Sequence, residues 1–157
     1  MEIKELDKDV REYLERNHAA AMVTLHPDGR PHAVRVGVAV VDGRLWSSGI
    51  PSRVRTGHLR RDPRATLFVF DPANPWTWVT LEADVTILDG PDAPEQNLQL
   101  FQVMQQGMPR PPAAGTLYWN GKPETFDDFR RIMASEQRLI YEFEIVKVYS
   151  QLSMPSS

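Results

Sequence analysis

The stretch with the most chemical content in this chain is Ser52-Arg53-Val54-Arg55-Thr56-Gly57-His58-Leu59-Arg60-Arg61-Asp62-Pro63-Arg64. From Arg53 to Arg64 five arginines stand against one aspartate, a local charge of +4. A short helix is expected over roughly residues 53–61, with Ser52 as N-cap and Pro63 as the stop signal. Arg53 and Arg55 then fall in the first turn, where the helix macrodipole is already positive. Cations there are unfavourable unless an anion joins them. Free backbone N–H groups, a capping hydroxyl and two guanidiniums together suit phosphate, whose oxygens Arg matches bidentately. The same pattern also fits a solvated helix face paired with scattered carboxylates. Arg60, Arg61 and Arg64 suit that second description better.

Other residues add weaker suggestions. Trp76 and Trp78 sit two apart at the start of a β-like run and so share a face. Two indoles there could wall a flat conjugated ligand, or simply pack in a barrel or an interface. Arg35 and Gly37 lie opposite the valine face of an alternating run. Glycine in a strand permits close approach of a ligand or another backbone, and a dimer contact explains it equally well. Glu82 and Asp84 face one side of their strand, but nothing else suggests a glycosidase pair. The four histidines, His18, His26, His32 and His58, make no metal-spaced motif. No GxSxG, GxGxxG or GxxxxGK[ST] sequence occurs, so a serine hydrolase and the usual nucleotide loops have no support.

Period two dominates the elements that must hold these residues. Strands are expected at 19–25, 32–41, 44–48, 65–70, 76–88 and 138–149. Asp42-Gly43 makes a hairpin turn between the second and third. Helices are expected at 5–17, 53–61, 93–106 and from Thr125 to about Ala134, with 107–123 a Pro/Gly-rich loop. Tight turns and the lack of a βαβ rhythm favour an antiparallel sheet closed into a small barrel with helices outside. Residues 1–150 are expected to form one domain and 151–157 a loose tail.

Composition excludes several classes. With 157 residues the chain suits one domain. It has no cysteine, hence no disulfide, thiolate nucleophile, Cys-ligated zinc or iron–sulfur cluster. A net charge of −3 argues against a nucleic-acid partner. The charged start MEIKELDKDVREYLERN lacks the apolar core of a signal peptide, and no apolar run reaches the ~20 residues of a membrane span. A soluble, cytoplasmic protein is therefore expected.

The segment DGRPHAVRVGVAVVDGRLWSSGIPSRVRTGHLRRDPRATLFVFD resembles the pyridoxamine 5′-phosphate oxidase-like split-barrel superfamily. Within it, the chain is most similar to actinobacterial oxidoreductases that use the deazaflavin F420. The likeness covers roughly residues 5–150, and LRRDPRA is its most specific part. It departs from the family pattern at Arg55, where Lys is common, and at His58, where Asn is common.

The resemblance implies a mainly β fold with flanking helices, a six-stranded antiparallel split β-barrel of the FMN-binding type. It implies a homodimer with two cofactor sites between subunits. Arg53, Arg55 and Thr56 would hold the cofactor phosphate. His32, Val34, Arg35 and Val36 would lie along the ring, and Ser48, Gly49, Ile50, Pro51 and Ser52 along the ribityl–phosphate chain. Trp76 and Trp78 would flank the pocket. The implied function is F420-dependent hydride transfer to an unsaturated small molecule. An FMN-dependent oxidase or reductase, and a non-catalytic flavin, deazaflavin or tetrapyrrole carrier, are the alternatives. No catalytic residue is assigned.

Overall fold

The computed structural model describes residues 1–153. A 3-10 turn at Ile3–Glu5 precedes helix α1 (Lys8–Arg16). The strands are β1 (Ala19–Leu25), β2 (Pro31–Gly37), β3 (Ala39–Val41), β4 (Arg44–Gly49), β5 (Arg64–Asp71) and β6 (Asn74–Leu88). Helix α2 (Val54–Arg61) lies between β4 and β5. After β6 come α3 (Ala93–Gln106), β7 (Thr116–Trp119), β8 (Lys122–Thr125), α4 (Phe126–Ser135) and β9 (Leu139–Gln151).

Seven strands form one antiparallel sheet in the order β2-β1-β5-β6-β9-β4-β3. Alternation puts one face inward. Ala20, Met22, Leu67, Val69, Val79, Leu81, Tyr141, Phe143 and Ile145 fill the core with Val10, Tyr13 and Leu14 of α1. The sheet curls until its two edges meet at one end, where Ser47 Oγ donates to Gly37 O at 2.7 Å. There too Val38 N–H donates to His18 O. Elsewhere β2 and β4 are not ladder partners, so the barrel stays split. Helix α3 covers the outside of β3 and β4, packing Leu100 against Ala39, Trp46 and Ile140. No helix of the described residues is long and apolar enough to cross a membrane.

Four expectations change in detail. The run 32–41 is not one strand. It breaks at Val38, pairing with β1 before the break and with β4 after it. Counted as one bent strand, β2 and β3 restore the six strands expected of a split barrel. The first helix begins at Lys8, because Ile3 and Leu6 anchor a separate turn in the core. The loop 107–123 contains the β7–β8 hairpin, which turns on Asn120-Gly121 at φ 52° and 79°. Gln151, expected in the tail, closes β9 opposite Trp78; residues 154–157 of that tail lie outside the described residues.

Candidate functional site

The basic helix begins where β4 ends. Gly49 is buried at that end, and a β-carbon there would overlap the Tyr141 ring. Glycine is therefore required for the chain to turn over Tyr141 into the loop 50–53. Arg53 N–H donates to Ile50 O, and Arg53, not Ser52, occupies the N-cap position. Ser52 sits outside the helix, exposed within a turn, so its hydroxyl caps nothing. Val54 and Arg55 hold the first two helical positions, whose N–H groups have no partner inside the helix.

Beneath this turn Thr56 is fully buried. Its Oγ1 donates to Ile50 O at 2.8 Å and is 2.5 Å from the Tyr141 hydroxyl, which can donate to it in turn. Thr56 thus braces the loop from below, with its hydroxyl already committed. Arg55 is half-buried. Its guanidinium lies over the Tyr141 ring, 5.5 Å from the centroid, and its Nη2 reaches Ser48 O at 3.5 Å. Its Nε is buried with no hydrogen-bond partner among the described residues. Burial, opposed by Tyr141 and aided by Arg53, holds Arg55 below the ordinary arginine range. It remains a cation at neutral pH. No carboxylate of the described residues pairs with Arg53 or Arg55.

The far end of the same segment is different. Arg60 pairs with Asp89 at 3.1 Å and Arg64 with Asp62 at 2.8 Å. Arg61 donates to Leu25 O. Arg60 and Arg64 match the ion-paired description, and Arg61 is exposed on a backbone carbonyl.

The fold brings Ser48, Gly49, Ile50, Pro51, Ser52, Arg53, Arg55 and Thr56 into one turn at the head of α2. Ser48 contributes its carbonyl there, while its hydroxyl donates to Asn97 Oδ1 on α3 at 2.6 Å. Strand β2 divides its expected residues between two faces. His32, Val34 and Val36 point inward, and Arg35 points outward, its guanidinium over Phe70 at 5.5 Å. Trp76 and Trp78 share the outer face as expected, with buried Thr77 between them on the inner one. Trp78 stacks on Phe68 with centroids 5.8 Å apart, and Trp76 is 55% exposed. No hydrogen bond or ring contact among the described residues joins this outer group to the head of α2. Within one chain, then, the expected site residues form three groups: the head of α2, the inner face of β2 and this outer group.

Two features escaped the sequence reading. Tyr141, the floor of the arginine turn, is one aromatic among many in an alternating strand; only Gly49 hinted at a close approach. His26, His32 and His58, whose spacing in sequence gives no sign of a cluster, come together from two strand ends and a helix.

Residues 6–118 match the profile of the pyridoxamine 5′-phosphate oxidase family. The chain belongs to that family. A structure described as an F420 reductase shares the family-type fold, with a TM-score of 0.61 at 20% identity, over 88% of this chain and 94% of that one. A conserved hypothetical protein from Mycobacterium tuberculosis superposes with a TM-score of 0.68 at 19% identity, over 97% and 94%. A FAD-binding protein from Mesorhizobium loti gives 0.57 at 17% identity, over 92% and 94%. At these identities the likeness is one of fold. The family fold carries flavins or related cofactors, and the free donors at the head of α2 fit the phosphate such cofactors bring.

Proposed function

We propose that this member of the pyridoxamine 5′-phosphate oxidase family is an F420-dependent oxidoreductase, a cytoplasmic homodimer with one split-barrel domain over residues 1–150. The observation that carries the reading is Arg55. It is a half-buried guanidinium with an orphaned Nε–H and no carboxylate partner, beside the two free N–H groups of a helix start. A buried donor without an acceptor is costly, and a phosphate arriving at this turn would satisfy it. The fold shared with an F420 reductase supports the deazaflavin as that cofactor.

When bound, reduced F420 supplies a hydride for an unsaturated organic acceptor, a two-electron reduction completed by a solvent proton. The chain itself does the positioning. Arg53 and Arg55 with the Val54 and Arg55 N–H groups clamp the phosphate. Ser48, Gly49, Ile50, Pro51 and Ser52 line the adjoining chain of the cofactor. Val34 and Val36, packed in the core, hold strand β2 in place beside the ring, with half-buried His32 on the same face. Arg35, Trp76 and Trp78 complete a pocket from the partner subunit.

Dimerisation is supported by the outer face of the sheet. Arg35, Ala21, Phe68, Thr80 and Tyr149 stand side by side across β2, β1, β5, β6 and β9. Phe68 is 39% and Tyr149 42% exposed, and Trp76 stands beyond them. An aromatic band of this kind rimmed by arginine suits an interface. The second reading is an FMN enzyme, favoured by the profile match itself. A calorimetric titration with F420 and FMN side by side separates them. Tight binding of F420 and turnover of an enone or quinone acceptor are expected. Preference for FMN, or a yellow protein as purified, replaces the first reading with the second. Binding of neither removes both.

A further inference from the structure

Outside the arginine turn, the densest group of titratable side chains is a histidine cluster at the other side of α2. His58 of α2 is 5% exposed. Its Nδ1 shares a hydrogen bond of 2.8 Å with Thr24 Oγ1 on β1, and its Nε2 shares one of 3.1 Å with His26 Nδ1. His26 follows β1 directly, and His32 lies on β2. The ring centroids are 4.4 Å apart for His26 and His58, 5.3 Å for His26 and His32, and 5.5 Å for His32 and His58. Among the described residues no group of three such side chains is arranged to hold a metal ion.

The charges around the cluster are unbalanced. Arg61, on α2 itself, acts on His58 with the same sign as the neighbouring imidazoles. The nearby carboxylates are engaged elsewhere. In the β1–β2 turn Asp28 accepts from Arg30 N–H. Beyond α2, Asp62 holds Arg64 and Asp89 holds Arg60, and Asp84 of β6 acts on Arg64. No carboxylate of the described residues pairs with any of the three rings.

We propose that Thr24, His58, His26 and His32 form a proton-operated latch, which fastens α2 to the β1–β2 hairpin when the rings are neutral and releases it when they charge. In the neutral chain one nitrogen of His58 donates and the other accepts, so both of its bonds are made. A proton on His58 turns both of its ring nitrogens into donors in a buried site, beside Arg61 and two further imidazoles with no counter-charge, so the proton is better held once α2 has let go. Burial, then His26 and His32, already disfavour charge on His58. Because α2 carries Arg53 and Arg55, release would also move the phosphate clamp. That consequence rests on the reading above; the latch itself does not.

The test uses the ligand-free protein. Urea unfolding is followed from pH 7.5 to 5.0 for the wild type and for His58→Asn, which keeps polar groups but cannot titrate. Below about pH 6.5 the wild-type folding constant is expected to fall by up to about tenfold per pH unit for each proton taken up, and that of His58→Asn less steeply. Amide protection over residues 54–61, corrected for intrinsic exchange, should fall with pH in the wild type and persist in the variant. Parallel pH profiles would overturn the latch. Should the variant not fold, ring-nitrogen NMR of the wild type decides. His58 neutral while α2 is protected, and charged only as α2 shows exchange broadening, supports the latch. His58 charging with α2 protected and unbroadened refutes it. A failure of F420 and FMN to bind would leave these outcomes unchanged and count only against the cofactor reading.

Discussion

Arg53 and Arg55, at the head of α2, and Arg60 and Arg64, at its tail and at the start of β5, belong to one basic segment and share one side-chain chemistry. The tail arginines found carboxylates: Asp89 comes from the end of β6, and Asp62 folds back on Arg64. Those pairs are exposed and contribute little to stability. The head arginines found none, and Arg55 was drawn over the Tyr141 ring and partly desolvated instead. A local charge of +4 is therefore two different things. One part is neutralised surface; the other is an uncompensated cation pair in a rigid turn. Rigidity comes from below, through Thr56 and Tyr141, and not from a cap.

The largest effect that would break this contrast is on binding. Arg55→Ala should weaken F420 or FMN by about 1.5–3 kcal/mol, roughly tenfold to a hundredfold in Kd, as for a charge-assisted bond. Arg64→Ala should leave Kd unchanged. Equal effects from both, measured by titration calorimetry, would erase the distinction between head and tail.

Stability sharpens the contrast next. Gly49→Ala forces its β-carbon into the Tyr141 ring and should cost about 1–3 kcal/mol in urea unfolding. Gly57→Ala, where a β-carbon meets nothing within 4 Å, should stabilise by about 0.5–1 kcal/mol through helix propensity. Tyr141→Phe keeps the ring under Arg55 but removes one hydrogen bond to Thr56 and should cost about 1 kcal/mol, with a few-fold loss of cofactor affinity as the loop 50–53 loses its bracing. A change in stability without any change in affinity would separate the floor from the clamp.

The smallest effect lies at the tail. Hydrogen bonding from Arg64 lowers the Asp62 carboxyl to about 2. Its folded value is below its unfolded one. The stability it adds is therefore present above the usual carboxylate range and lost as pH falls toward about 2. Carboxyl NMR should show that titration in the wild type and a higher value in Arg64→Ala, which keeps only the backbone N–H bond.

Much of the barrel was legible because alternation runs through most of β5, β6 and β9. Asp42-Gly43, at φ 48° and 75°, and the Thr125 N-cap of α4 follow from their own chemistry. The break at Val38 was not legible: both flanks alternate, and only the closing edge of the barrel forces the strand to change partners there. Asn120-Gly121 carried a hairpin signal that the surrounding prolines and glycines obscured. For the site, the macrodipole and the arginine spacing marked the head of α2, since both are local properties of the segment.

The sequence by itself determined the period-two pattern, the basic helix after the third expected strand and the likeness to the pyridoxamine 5′-phosphate oxidase family. These depend on neighbours a few residues away. Only the tertiary structure decided which arginines remain unpaired, that Tyr141 floors their turn, and that three histidines far apart in sequence meet in one cluster. Those outcomes depend on where a curled sheet returns its strands, and pairing of charges and rings is set by distance in space.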